Sequence, residues 1–138
     1  MSINEKQDEI IEEFEAFDDW LDRYQLLCDY ARELKKHPLA EADRTETNLI
    51  DGCQSKVWIT ARKEEGKLYF NGDSDALLVK GIVALLLEVL SGNTPQEILD
   101  ANLYFMERIG LQEHLSPTRS NGIVAMLKQI RLYALALK

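Results

Sequence analysis

The run "ALLVKGIVALLLEVL", residues 76 to 90, constrains this chain more than any other feature. It is about 15 residues long, and only Lys80 and Glu88 interrupt its apolar character. A helix that is apolar on nearly all sides has to be surrounded by other elements, so this is a central core helix. It is not a membrane span, which needs about 20 largely uncharged residues. A chain of 138 residues is long enough to bury such a helix, and residues 1–138 read as one domain. The hydrophobic fraction of 46% and charged fraction of 29% are those of a soluble globular protein.

The flanking sequence supplies the elements that cover the central helix. Ser2-Ile3-Asn4-Glu5 reads as a capping box, followed by Ile3, Ile10, Ile11, Phe14 and Phe17 at helical spacing. Asp18 or Asp19 can cap a second helix with the stripe Trp20, Leu21, Tyr24, Leu27, Cys28, Ala31 and Leu34. That helix ends in "KKHP", two cations favoured by the helix dipole and a proline that cannot continue it. A long polar connection follows over residues 38–52, and connections of this length are often functional. In "SKVWITARK", Val57, Ile59 and Ala61 alternate with Trp58, Thr60 and Arg62, and "EEG" joins this strand to "KLYFNG" as a hairpin. Leu49-Ile50 is expected to add a third short strand, because an isolated hairpin is marginal.

Gly92 suits the C-terminal cap of the central helix, and Thr94-Pro95-Gln96-Glu97 opens another. A short helix is expected over residues 103–109. Ser116-Pro117 then opens the last helix, with Val124, Leu127, Ile130, Ala134 and Leu137 on one face. The fold class is therefore α+β, a small antiparallel β-sheet packed by helices.

Charge and motif content exclude several functions. The net charge of −8 and pI near 4.8 argue against nucleic acid and against an anionic membrane surface, both of which select a basic patch. "MSINEKQDEIIEEF" has acids where a secretory signal needs a basic and then an apolar region. Two cysteines make no disulfide framework, which points to the reducing cytoplasm. His37 and His114 lie far apart, no Cys or His pair has metal-ligand spacing, and an iron–sulfur cluster usually needs four ligands. No metal site is expected on this chain. There is no phosphate-binding glycine motif and no G-x-S-x-G. Asp73 and Asp75, in "DSD" before the central helix, are explained most simply as N-capping residues.

That leaves the two cysteines. Cys28 falls on the apolar stripe of the second helix and reads as a small, inert core residue. Cys53 stands in "NLIDGCQSKVW", after a turn dipeptide and before a strand. From this pattern alone, a structural and a reactive Cys53 are equally well supported. A cysteine protease would want a histidine partner, and a redox thiol a resolving cysteine; neither is in place. A thiol that only accepts and donates a sulfur atom needs neither of them.

Three segments carry a resemblance to a known family. "DRTETNLIDGCQSKVWI", "GDSDALLVKGIVALLLEVLSGNTPQEI" and "LQEHLSPTRSNGIVAMLKQI", with Trp20 and Tyr24 near the start, resemble the SufE-like proteins, including the CsdE branch. These are sulfur acceptors of iron–sulfur cluster assembly. The resemblance implies a SufE/NifU-like (IscU scaffold-like) α+β fold. It implies that Cys53 is the persulfide acceptor, supported in its loop by Asp51, Gly52, Gln54, Ser55 and Lys56. Arg119, Asp73 and Asp75 match positions expected to contact the partner or the loop. The implied partner is a cysteine desulfurase of the SufS or CsdA type, which carries the pyridoxal phosphate (PLP), while this chain binds no cofactor. A SufBCD-type scaffold is the implied downstream acceptor, and a monomer or weak homodimer the implied state.

On this reading the chain is a sulfurtransferase-like accessory with no turnover of its own. Two features depart from the family pattern. Asp51 and Lys56 stand where neutral residues are usual, and they act on the Cys53 thiol in opposite directions, the carboxylate raising and the ammonium lowering its pKa. The resemblance also implies that Cys53 is shielded in the free protein and swings out on docking, with Gly52 best able to absorb the backbone change. The alternatives from other classes are an iron–sulfur scaffold and a structural adaptor with an incidental cysteine.

Overall fold

The fold is that of a computed structural model, which describes residues 2–46, 48–50, 55–115 and 117–138, and at positions 112 and 117–119 the backbone alone. The apolar run forms helix α3 (Leu77–Leu90), in which ten of 14 residues are buried. Helix α2 (Trp20–Lys35) lies along it, burying Leu27, Cys28 and Ala31. The two backbones approach closely at Gly81, where an added Cβ would stand 2.5 Å from the carbonyl oxygen of Leu27. Helix α1 (Ile3–Glu15) closes the same core with Ile3, Ile10, Ile11 and Phe14, and its capping box at Ser2 and Glu5 forms as expected.

Strands β1 (Val57–Glu64) and β2 (Lys67–Ser74) form an antiparallel hairpin that packs on α3 through β2. Val57 and Ile59 on β1 and Leu68 on β2 are fully buried, so the period-two alternation sets which face meets the helices. The turn residues Glu65 (φ 51°) and Gly66 (φ 81°) both take positive φ, which matches the twist of a two-residue hairpin. The expected third strand is reduced to a single bridge between Leu49 and Trp58. Two backbone hydrogen bonds hold it, Ile50 N–H to Val57 (2.8 Å) and Ile59 N–H to Asn48 (3.1 Å). A pair of apolar residues between polar neighbours is too short to extend the ladder.

Helix α4 (Pro95–Asp100) starts at the predicted Thr94 capping box. The short helix expected over 103–109 appears as α5 (Phe105–Arg108), and α6 (Leu111–His114) follows after Gly110 at φ 83°. Helix α7 (Pro117–Ala136) packs on α4 and on β1. Ile130 and Ala134 are buried as expected and Leu127 and Leu137 pack half-buried on the core, but in the first turns Ile123 and Met126 are buried and Val124 is 65% exposed. The apolar pairs Ile123-Val124 and Met126-Leu127 fit either phase, so spacing alone does not choose between them. Phe17, Leu21 and Tyr24, placed on the apolar stripes of the first two helices, are also exposed.

Candidate functional site

Of the residues expected to form the site, Ser55, Lys56, Asp73 and Asp75 stand at the open end of the hairpin, opposite its turn. Asp51, Gly52, Cys53 and Gln54 lie outside the described residues, and a frame of described residues flanks them on both sides. On the upstream side, Ile50 N–H bonds to Val57 and Ile59 N–H to Asn48. The Tyr133 hydroxyl of α7 reaches the same place, donating to Asn48 Oδ1 (3.2 Å) or to the Ile59 carbonyl (2.8 Å). On the downstream side, Lys56 N–H donates to Asp75 Oδ1 (3.0 Å), and Asp75 N–H donates to the Lys56 carbonyl (3.2 Å). Asp75 therefore fixes the backbone of Lys56, whose side chain is exposed, and Ser55 stands half-buried beside it.

Asp73 and Asp75 do not cap α3. Strand β2 runs on to Ser74, the N-cap position is Ala76, and no side chain caps that helix. Asp73 pairs in register with Trp58 and accepts three hydrogen bonds. Arg44 Nη2 lies 2.5 Å from Oδ2, and Lys80 Nζ and Ser74 N–H each lie 2.8 Å from Oδ1. Burial alone would raise this carboxyl; the hydrogen bonds from Lys80, Arg44 and Ser74 outweigh it and hold Asp73 below the usual carboxylate range. Arg44 also lies over the Trp58 ring, 5.2 Å from its centroid.

Arg44, Lys80 and Tyr133 belong to the frame although sequence reasoning did not select them. Lys80 did carry a signal, as the lone cation in an apolar run, since a buried ammonium needs a carboxylate. Arg119 falls in the first turn of α7, and its side chain is outside the description. His114 stacks on Trp20 with ring centroids 4.1 Å apart, well apart in sequence from His37. Among the described residues, no three His, Cys, Asp or Glu side chains stand together as a metal site.

An open cleft of about 790 Å³ lies between α2, α3 and the hairpin, lined by Tyr30, Glu33, His37, Arg62, Tyr69 and Glu88 among others. It runs along the middle of the hairpin, at residues 60–62 and 69–71, and reaches Asp43 next to Arg44. Burial foremost, and then the carboxylates of Glu13, Glu88 and Glu9, raise the Tyr30 phenol, so it stays protonated and supplies no nucleophile there.

Fold and frame together define a class: a helix-covered α+β protein whose hairpin closes both ends of a cysteine-bearing connection. The chain belongs to the SufE family, whose domain, described as Fe-S metabolism associated, matches residues 8–134. It is 42% identical over 127 residues to an uncharacterized SufE-like protein of Synechocystis sp., covering 92% of this chain and 79% of that one. Uncharacterized SufE-like proteins of Rhizobium meliloti and Rhizobium etli are 40% and 43% identical over 130 residues, covering 90% of this chain and 91% and 86% of theirs. The solution structure of a hypothetical protein from Thermus thermophilus matches with a TM-score of 0.77 at 27% identity, covering 95% of this chain and 94% of that one.

Proposed function

We propose that this protein is a sulfur acceptor and persulfide carrier for iron–sulfur cluster assembly, with Cys53 as the acceptor thiol. The observation that carries this reading is the partition of the two cysteines. Cys28 is buried in the core with 4% exposure, while Cys53 lies in the G-C-Q-S-x-V-W motif of a SufE-family chain. The partner is a cysteine desulfurase of the SufS or CsdA type, and the setting is the cytoplasm.

The transfer is thiol exchange at a persulfide. The Cys53 thiolate attacks the terminal sulfur of the desulfurase persulfide, and a new S–S bond forms on Cys53. The old S–S bond breaks, and its electron pair leaves with the desulfurase sulfur as a thiolate. The sulfane sulfur moves without net oxidation, so no external oxidant or reductant enters. Relieved of its persulfide, the desulfurase turns over again, and the carrier passes the sulfur to a SufBCD-type scaffold. One thiol suffices for this chemistry.

The test combines the protein with a cognate desulfurase and free cysteine, followed by intact mass and by desulfurase turnover. The expected result is one added sulfur on Cys53 and faster turnover, both abolished in Cys53→Ser. A wild-type protein that gains no sulfur would overturn the proposal.

A further inference from the structure

We infer that Arg44 is a positioning residue for the sulfur-accepting segment, holding its upstream stem through Asp73, which Lys80 braces. The inference deepens the proposal that Cys53 accepts sulfur and rests on it. Arg44 follows the 3₁₀ turn Glu41–Asp43 and precedes the bridge at Leu49. Its guanidinium crosses the face of Trp58 and ends on Asp73 Oδ2. Trp58 pairs with Leu49 on one side and with Asp73 on the other, so Arg44 straps the connection across the full width of the hairpin.

The end of β2 thereby grips both stems of the Cys53 segment. Asp73 holds the upstream stem through Arg44, and Asp75 holds the downstream stem through the backbone of Lys56. The upstream grip is not an ordinary surface pair, since the Arg44 and Asp73 side chains are 25% and 12% exposed. Exposed pairs contribute little because water screens them and side-chain entropy opposes them. This one is sheltered by Trp58 and pre-oriented by Lys80 and the Ser74 N–H. A rigid support around a reactive group fixes its approach geometry, and loosening it slows the reaction without touching the reacting atom.

The chemistry also indicates which variant to use. Asp73→Asn leaves two cations around a neutral group and risks unfolding the end of the hairpin. Arg44→Met keeps an apolar stem over Trp58 and leaves the Asp73–Lys80 pair intact. Cys28, buried in the core, provides an internal control, because global unfolding exposes it.

The experiment measures iodoacetamide alkylation of Cys53 and Cys28 separately, by peptide mass, in full-length wild type, Arg44→Met and Arg44→Lys. The same proteins are titrated into a cognate desulfurase with free cysteine. In Arg44→Met, Cys53 should alkylate about three- to tenfold faster, the range expected for losing one coupled pair, with Cys28 unchanged. Removing a cation that acted only on the thiolate would slow alkylation instead, so the direction separates positioning from electrostatics. Maximal stimulated turnover should fall by a similar factor with an unchanged half-saturating concentration, and Arg44→Lys should recover most of both effects. Wild-type behaviour of Arg44→Met at Cys53, or a matching rise at Cys28, would overturn the inference. If the wild type gains no sulfur while Arg44→Met still alkylates faster at Cys53 alone, the persulfide reading falls and the positioning role stands.

Discussion

Asp73 has both carboxylate oxygens occupied, one by Arg44 and the other by Lys80 and the Ser74 N–H. Its pKa is lowered in the folded state, so the stability it contributes is fully present above its unfolded value near 4 and is lost as pH falls through the folded value. Asp73→Asn removes the anion and leaves Lys80, only 12% exposed, without this counter-charge and Arg44 with the exposed Glu41 carboxylate alone, 3.7 Å away. The expected loss is about 3 kcal/mol at pH 7. Measured by urea midpoints, the gap between wild type and variant should stay constant above about pH 5 and narrow toward pH 3, because a protonated Asp73 is nearly an asparagine. A gap that widens in acid would contradict this account. The role of Asp73 was not legible in the sequence for a definite reason. "DSD" before an apolar run carries a capping signature, and a local signature cannot show that the strand continues to Ser74. The arginine partner stands 29 residues away, a separation that no periodicity encodes.

At the scale of elements, the sequence was most legible where one physical preference dominated. The Ser2 and Thr94 capping boxes, the Asp19 cap, the Glu65-Gly66 turn and the central helix all follow from local chemistry. Legibility failed where two faces were equally apolar, as on α7, and where an element lacked residues to sustain itself, as at Leu49-Ile50. Two contacts between elements make sharp predictions. The close approach of α2 and α3 at Gly81 leaves no room for a methyl group, because the obstructing atom is a backbone carbonyl rather than a flexible side chain. Gly81→Ala should therefore destabilise the fold by about 1–3 kcal/mol, although alanine is the better helix former, as read by thermal or urea unfolding. The second contact is Gln7, fully buried on the apolar stripe of α1. Its Oε1 accepts from Tyr104 N–H (2.9 Å) and Phe105 N–H (3.2 Å), and its Nε2 donates to the Asn102 carbonyl (3.1 Å). Gln7→Ala leaves these groups unpaired at the start of α5 and should cost about 2–3 kcal/mol. Gln7→Glu should recover only part of that loss, because a carboxylate cannot donate to Asn102.

For the whole molecule, the decisive division is between the two thiols. Helix α2 must present Leu27, Cys28 and Ala31 to α3 to cover its apolar surface, and that packing withdraws Cys28 from chemistry. Only Cys53 remains, in a connection whose two ends are fastened to one hairpin. The motif around it was legible as sequence, but the frame that supports it was not, since Arg44, Lys80 and Tyr133 converge on it from three separate elements. The division supports the proposed carrier over a scaffold. A cluster held by one chain usually takes four ligands, mostly thiolates, and here a second thiolate would require breaking the α2–α3 core. Anaerobic reconstitution of the full chain with iron and sulfide should therefore leave less than one cluster per chain after desalting, read by absorption spectroscopy. The same preparation should still accept one sulfur from a desulfurase. A stoichiometric cluster that survives in Cys28→Ala would show that iron finds ligands elsewhere and would move the protein from carrier to scaffold.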